Sequence, residues 1–238
     1  MLPLLLAVAG ACVTLAGALV LRSFGPGLRL GRLLAVTPIV GIDAARAIAA
    51  SGEPRYVGVA GRIDSADDFP DENERPLVYR SVRLEVRSAW RWRSVEDSRR
   101  AVPFSLDAGP DSIGIDVEAL GPGLVVLARE SAGRVGEVPG RFPAGTPSSR
   151  RARMRIEQVS SVEHATALGR PIMGADGTPR ISAGLGRPLV LSTLERDEAM
   201  RVLAEGRRGR AAAAVVALVA GPLIVVAGIV AALLGFLG

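Results

Sequence analysis

The sequence is poor in the residues that build disulfides and zinc sites. Its 238 residues include one cysteine, Cys12, and one histidine, His164. An intrachain disulfide and a four-ligand Cys/His zinc site are therefore both excluded within this sequence. Lysine is absent, so all 29 basic residues are arginines, and aromatic residues make up only 4% of the chain. Ala, Val, Leu and Gly must then supply most of the apolar surface.

Two long stretches of the sequence contain no charged residue, and they divide the chain into two end segments and a middle segment. Residues 211–238 contain no charged side chain, and this run is longer than the roughly 20 apolar residues that a helix needs to cross a bilayer. Residues 1–21 are also uncharged. We predict transmembrane helices over residues 1–21 and 211–237, a juxtamembrane linker over 22–36, and one domain over 37–206.

Arginines beside the two runs account for the net positive charge. These six membrane-flank residues are Arg22, Arg29, Arg32, Arg207, Arg208 and Arg210. Subtracting six from 29 leaves 23 arginines against 24 acidic residues, a net charge of −1 compared with +5 for the whole chain. Arginines at such positions set membrane topology and contact anionic headgroups. We therefore expect a lipid bilayer, and no nucleic acid, as the partner of this charge.

The first run has three interpretations. A signal peptide needs a basic start, which residues 1–6 lack, and a lipoprotein signal around Cys12 lacks it too. A retained helix fits better, because its positive charge follows the run and is expected on the cytoplasmic side. Since the second run is preceded by arginines, the domain between the runs is predicted to be cytoplasmic.

Small residues recur four positions apart in both runs. The pairs are Ala7 and Ala11, Gly10 and Thr14, Ala217 and Gly221, and Gly228 and Ala232. This spacing allows helix backbones to approach closely in lipid. Either the two helices pack together or form a homo-oligomer through these faces, or Ala and Gly are simply frequent here. Pro222 is predicted to kink the last helix.

Between the runs, the patterns predict an α+β fold, namely a β-rich antiparallel domain with two short helices. A helix is expected over residues 38–50 after Thr37, and another over 193–205 behind a capping box at Ser192. Strands are expected over 56–63, 77–93, 102–106, 112–117, 123–129, 154–159, 162–168, 180–181 and 189–191. The longest strand should bend near Ser88, and residues 131–151 should form a mobile loop.

Three groups of residues could carry chemistry, and each has a simpler explanation. Six carboxylates in residues 64–74 could bind a cation, but their spacing fits no calcium loop, and a solvated loop explains them. Arg91 and Arg93 alternate with two tryptophans and could stack on bases, or the tryptophans belong to a core. His164 lies near serines and Glu163, as in a catalytic triad, or is a surface histidine. We assign no catalytic, cofactor-binding or metal-ligating residue.

The order of the motifs resembles that of the GIDE domain, also called the beside-a-membrane domain. The motifs are VGVAGRI (57–63), PLVY (76–79), RWRSV (91–95), PFSLD (103–107), SIGIDV (112–117), ALGRPI (167–172) and LVLSTLERDEAMRVL (189–203). The domain occurs between two membrane helices in a mitochondrial E3 ubiquitin ligase family, and prokaryotic members without the ligase part are also known.

The resemblance implies a binding module and carries over no ligase residue. The ligases add a RING domain, which needs eight Cys or His ligands, whereas this sequence has one of each. Leu77 stands near the position of the family's cysteine, and only Tyr79 remains of its tyrosine pair. We expect a non-enzymatic binding or scaffold protein in a prokaryotic plasma membrane, acting in envelope stress with a protein partner. The alternative is an enzymatic role as a ligase-family or hydrolase-accessory protein.

Overall fold

The computed structural model shows an α+β protein that divides into two compact units. It describes residues 2–23, 25–89, 91–121, 123–137, 141–143, 145–204 and 208–237. One unit, the helical unit, combines residues 1–33 with 200–238, and the other, the β unit, spans residues 34–199.

The elements follow one another along the chain with helices at both ends. The first three helices are α1 (Leu2–Ser23), α2 (Gly25–Val36) and α3 (Ile42–Ser51). The strands are β1 (Val57–Asp64), β2 (Phe69–Pro70), β3 (Pro76–Ser88), β4 (Arg91–Ala101), β5 (Ser105–Ala108), β6 (Asp111–Ile115), β7 (Leu124–Val125), β8 (Arg129–Arg134), β9 (Arg151–Ser160), β10 (His164–Met173), β11 (Pro179–Ser182) and β12 (Val190–Ser192). The last helices are α4 (Arg196–Ala204) and α5 (Arg208–Leu237).

Helices α1 and α5 pack against each other through small residues. The contact residues are Gly10, Thr14 and Gly17 on α1, and Ala214, Ala217 and Gly221 on α5. The backbones are so close that a Cβ atom on Gly10 would lie 2.6 Å from the carbonyl oxygen of Gly221. Of the alternatives that the sequence left open, the structure shows packing between the two helices, and this packing uses the Gly10–Thr14 and Ala217–Gly221 pairs.

The pairs Ala7–Ala11 and Gly228–Ala232 contribute less to the contact between α1 and α5. Ala11 and Ala232 are exposed, Gly228 is buried, and the side chain of Ala7 lies outside the described residues. Pro222 lies inside α5, which continues through it as one helix from Arg208 to Leu237.

Among the described residues, one helix is by itself long and apolar enough to cross a membrane. Residues 212–233 of α5 have a mean hydropathy of 2.7. The N-terminal helices meet the same criterion only jointly, as the segments Val8–Arg22 and Gly27–Val36 with a bend of 43° between them. Most large apolar side chains on α1 and α5 are exposed, including Leu5, Leu15, Leu19, Val216, Val219, Leu223, Val226 and Leu233, whereas Leu218 and Val225 lie against α1.

The segment expected as a linker, residues 22–36, is mostly the helix α2. Leu30 and Leu34 are one helical turn apart and both buried, which gives the segment an apolar side despite its glycines. The Gly and Arg content of this segment favours a linker, and the leucine spacing is the signal that favours a helix.

Five strands of the β unit close into a barrel. β1 pairs with β5, β5 with β6, β6 with β11, β11 with β10, and β10 again with β1. In sequence order the barrel strands are β1, β5, β6, β10 and β11. The fourth of these, β10, pairs with the first, β1, which makes the arrangement a Greek-key barrel, an architecture that includes the OB-fold. β12 and β7 extend the sheet from β10. Most strand pairs are antiparallel, as expected, and the pairs β6–β11 and β7–β12 are parallel.

Helix α3 packs against the barrel core. Ile42 and Ala45 are buried in the core cluster, and the helix ends at Gly52, which has a φ of 70° and donates its N–H to the carbonyl oxygen of Ala49. The helix begins at Ile42, four residues later than predicted. The reason is that Pro38 and Val40 instead make backbone hydrogen bonds of 2.9 and 2.8 Å with Gly58 of β1.

A second sheet is built from two insertions into the barrel. β2–β4 lie between barrel strands β1 and β5, and β8 and β9 lie between β6 and β10. β3 is central, with β4 on one edge and β9 on the other. The predicted single strand over 77–93 is wrong, because the chain reverses after Ser88, which pairs with Arg91. Ala89 enters this two-residue turn with a φ of 53°.

Two further predictions need adjustment. Part of the expected loop over 131–151 belongs to β8, which pairs with β9, and Val135–Glu137 forms a single 3-10 turn. The capping box at Ser192 is not formed, since its hydroxyl accepts the N–H of Leu194 at 3.2 Å. Helix α4 therefore starts at Arg196, with the N–H of Ala199 bonded to the carbonyl oxygen of Glu195.

Candidate functional site: an arginine-bearing sheet

The predicted membrane-flank arginines lie on or next to helices. Arg22 is exposed in the last turn of α1, and Arg29 and Arg32 are exposed on α2. Arg208 and Arg210 open α5, and Arg207 lies outside the described residues.

The residues around His164 do not form a catalytic triad. The Ser160 hydroxyl donates to the carbonyl oxygen of Pro76 at 2.7 Å, and Ser161 donates to Asp68 at 2.9 Å. Glu163 forms an ion pair with Arg75. His164 itself is exposed at the start of β10. The two serines and Glu163 therefore stabilise the connection between β9 and β10, and their side chains do not converge on His164.

The acidic segment over 64–74 uses its carboxylates within the fold. Asp71 accepts the N–H groups of Asn73 at 2.7 Å and Arg75 at 3.0 Å, and these two hydrogen bonds lower the pKa of its carboxyl group. Glu72 forms an ion pair with Arg80 at 2.7 Å. In the part of the chain that the structure describes, no group of three or more His, Cys, Asp or Glu residues could hold a metal ion.

The second sheet brings together charged residues that lie far apart in the sequence. Residues directly opposite each other on neighbouring strands share a face, so the register collects seven arginines on one side. This arginine face consists of Arg83, Arg87, Arg99, Arg134, Arg151, Arg153 and Arg155. The same side carries the acidic residues Glu85, Asp97, Glu130 and Glu157.

Four carboxylates hold the middle of the arginine face. Asp97 pairs with Arg83 at 3.0 Å, and Glu85 pairs with Arg153. Arg155 contacts two acids, Glu130 at 3.4 Å and Glu157 at 2.9 Å. Such exposed ion pairs contribute about 0–1 kcal/mol each. Their main consequence is that these three guanidinium groups are neutralised and held in place.

Aromatic side chains add further contacts to this face. The guanidinium of Arg153 lies 4.5 Å from the ring centre of Trp92, and that of Arg99 lies 5.2 Å from the ring centre of Tyr79. Burial raises the pKa of Tyr79. Trp92, which the sequence assigned to a core or to base stacking, is half-buried under Arg153, and Trp90 lies outside the described residues.

The end of the β3–β4 hairpin differs from the middle of the face. We define the hairpin tip as residues 87–93. Its arginines, Arg87, Arg91 and Arg93, are all exposed, and within the described chain none has a carboxylate at ion-pair distance. Sequence reasoning identified Arg91 and Arg93 but missed Arg87, because the hairpin reversal that places Arg87 opposite Trp92 was read as a continuing strand.

The opposite face of the same sheet is apolar and partly open. A cavity of about 320 Å³ lies there, and its lining includes the apolar Leu84, Phe142, Ala152 and Met154 together with the charged Arg134 and Glu137. This volume is at the lower end of the range for ligand pockets.

The barrel strands that OB-folds use for oligonucleotides offer no positive charge here. Those strands, the second and third of the barrel, are β5 and β6. The side chains that alternate with their buried residues are Ser105, Asp107 and Ser112. Because nucleic-acid affinity depends on cations that neutralise phosphates, this face lacks the chemistry for that use, and the architecture alone carries no function.

No protein-family model, curated protein or solved structure matches this chain. The functional argument therefore depends on the residues themselves.

Proposed function

We propose that this protein is a membrane-anchored, non-enzymatic binding or scaffold module. Helices α1 and α5 both span the bilayer and hold the β unit at its surface. The observation that carries the proposal is the packing of these helices, which places small residues at their contact and large apolar side chains outside.

The exposed apolar side chains of α1 and α5 favour lipid over water as the surrounding solvent. In water, large apolar side chains stabilise a protein by being buried, and burial of one Leu or Val contributes about 1.5–3 kcal/mol. Leu223 and Val219 on α5 are 64% and 60% exposed, and Leu15 on α1 is 63% exposed. A lipid environment satisfies these side chains, and close backbone packing is how helices associate there.

The location of the β unit follows from the arginines. Positive charge beside a span favours the cytoplasmic side, and both arginine clusters adjoin the β unit in the sequence. We therefore place the β unit in the cytoplasm, at the plasma membrane of a prokaryote. The GIDE-like motif order supports the same assignment, with a role in envelope stress and a protein partner. Association of two copies through small-residue faces stays a prediction.

Membrane extraction and protease accessibility test the proposal. The full chain should stay in the membrane fraction after alkaline carbonate washing. Charges on the exposed sides of both helices, Leu15→Arg with Leu19→Arg on α1 and Val219→Arg with Val226→Arg on α5, should release it, whereas Arg55→Asp on the β unit should not. Recovery of the unmodified protein in the wash would contradict anchoring. Protease added to intact cells should leave residues 60–180 uncut, and cleavage there would overturn the topology.

A further inference from the structure

We propose that the hairpin tip binds anionic lipid headgroups, which gives the β unit a membrane contact of its own. This inference rests on the proposed membrane anchoring. The ligand is the phosphate of anionic phospholipids in a bilayer, and the binding groups are the guanidinium groups of Arg87, Arg91 and Arg93 beside Trp92.

Charge pairing separates these arginines from those in the middle of the arginine face. Arg83, Arg153 and Arg155 are already neutralised by carboxylates on the same face. The tip has three arginines and no acidic residue between positions 87 and 93. Its guanidinium groups therefore remain available for an external anion, and a guanidinium matches phosphate oxygens in a bidentate manner.

The shape of the tip favours a surface over a single small ligand. Arg87 and Trp92 are directly opposite each other and share one face of the hairpin. Arg93, opposite Val86, and Arg91, opposite Ser88, lie on the other face. The cations thus surround a convex two-stranded end, and no concave site is formed. Such a wedge contacts phosphates on both faces when it enters a layer of headgroups.

The tip is held in this form before any ligand binds. The chain reverses over two residues, and the guanidinium of Arg153, itself paired with Glu85, covers the Trp92 ring at 4.5 Å. Tryptophan is enriched at the level of the headgroups because its ring is apolar and its N–H is polar. The tip therefore combines the two residue types that anchor proteins at the bilayer interface.

The size of the effect follows from the charge. Each basic residue close to an anionic leaflet contributes about a fivefold preference for the surface, so three contribute on the order of 100-fold. The preference must fall as salt screens the headgroups.

Tryptophan fluorescence measures the tip directly, because the chain has two tryptophans and both lie between residues 87 and 93. The full chain is reconstituted in vesicles of phosphatidylcholine, with or without phosphatidylglycerol. We expect a blue-shifted emission and protection from acrylamide only with phosphatidylglycerol, and reversal at high salt. The triple variant R87Q/R91Q/R93Q should lose both effects, while R87K/R91K/R93K should keep most of them.

The matched control removes the same charge elsewhere. The variant R55Q/R62Q/R150Q changes three exposed arginines that lie outside the tip, and it should respond as the unmodified chain does. Circular dichroism of each variant establishes that the fold is intact. An equal response of the two glutamine variants would overturn the role of the tip, since the effect would then reflect net charge alone.

Flotation of the vesicles, scored separately, distinguishes the two proposals. A chain that floats but whose tryptophans respond identically in both lipid compositions overturns the tip contact and leaves anchoring intact. A chain that does not float overturns anchoring and the tip contact with it. A single-stranded oligonucleotide that displaces the tip from anionic vesicles at low concentration would overturn the lipid assignment in favour of nucleic acid.

Discussion

The helix pair α1–α5 and the five-stranded barrel use the same few residue types in opposite ways. In the barrel, large side chains such as Leu106, Ile113 and Ile181 are fully buried. In the helix pair, glycine and alanine form the closest backbone contacts and most leucines are exposed. The barrel is stabilised by removing apolar surface from water, and the helix pair by close contact between backbones.

This difference shows that composition alone does not decide how a segment is packed. Both regions are rich in Ala, Val, Leu and Gly. What differs is the period at which the small residues occur, four along the helices, compared with the alternation of buried and exposed residues along the strands. Substitutions that change side-chain size should therefore have opposite consequences in the two regions.

The largest expected effect is the loss of a barrel side chain. Leu106→Ala removes a fully buried leucine from the core cluster. It should lower the free energy of unfolding of the β unit by about 2–5 kcal/mol, because the lost transfer energy adds to the cost of a cavity. Urea denaturation in detergent, followed by circular dichroism of the strands, measures this. A change below about 1 kcal/mol would mean that the core collapses around the site.

The next effect is an enlargement at the helix contact. Gly221→Val would place a Cβ 2.8 Å from the backbone nitrogen of Thr14 and 2.9 Å from the carbonyl oxygen of Gly10. Overpacking of this kind costs about 1–3 kcal/mol, so the helices should separate at a lower temperature in detergent. Ala227→Val on the exposed side of α5 is the matched control and should be nearly neutral. Equal effects of both variants would indicate that the contact is absent.

A smaller effect concerns a buried tyrosine of the β unit. The Tyr56 hydroxyl lies 2.7 Å from the carbonyl oxygen of Pro188 and 3.1 Å from that of Leu168. Tyr56→Phe should cost about 1–2 kcal/mol, since it leaves these acceptors without their donor. Denaturation of the unmodified and substituted chains at neutral pH measures the difference.

The same tyrosine predicts a dependence on pH. Burial raises the pKa of Tyr56 to about 12, although the Arg187 guanidinium opposes this. The folded state therefore holds the proton more tightly than the unfolded chain, whose tyrosine pKa is about 10. Its contribution is fully present below pH 10 and is lost as the pH rises towards 12. Tyr56→Phe should reduce this loss, and the remainder is expected from Tyr79, whose pKa burial also raises.

The smallest expected effect is the loss of an exposed leucine from α5, for comparison with the buried Leu106. Leu223→Ala makes the same chemical change on the exposed side of α5. In detergent, it should alter the stability of the helix pair by less than about 0.5 kcal/mol, as for most substitutions away from packed contacts. A loss similar to that of Leu106→Ala would show that Leu223 is packed against protein.

Local patterns predicted the parts of the fold that local physics determines. The two uncharged runs are helices, Gly52 ends α3, and Val78, Val82, Leu84 and Val86 alternate towards the buried side of β3. The reversal after Ser88 escaped prediction because the loop contains neither the glycine nor the asparagine that usually marks a two-residue hairpin. The parallel β6–β11 pair was not predicted because the two strands are more than 60 residues apart and no local pattern specifies their pairing.

The candidate site was less predictable than the fold. Arg91, Arg93 and Trp92 were visible as a motif, but the neutralisation of Arg83 and Arg153 depends on strand register. Arg83 meets Asp97 across the β3–β4 hairpin, whereas Arg153 meets Glu85 because β3 pairs with β9, about 70 residues further along the chain. No local pattern specifies which arginines are paired and which are free, and this distinction separates the hairpin tip from the middle of the sheet.

The contact between Gly10 and Gly221 has a consequence for how the protein is made. About 210 residues separate the two glycines, so at 5–20 residues per second a ribosome needs roughly 10–40 seconds between them. In the proposed membrane-anchored form, α1 enters the membrane long before its partner exists. Its Gly10–Thr14–Gly17 stripe is then open to any other newly inserted segment with a small-residue surface, and correct assembly requires that α5 displace such a competitor.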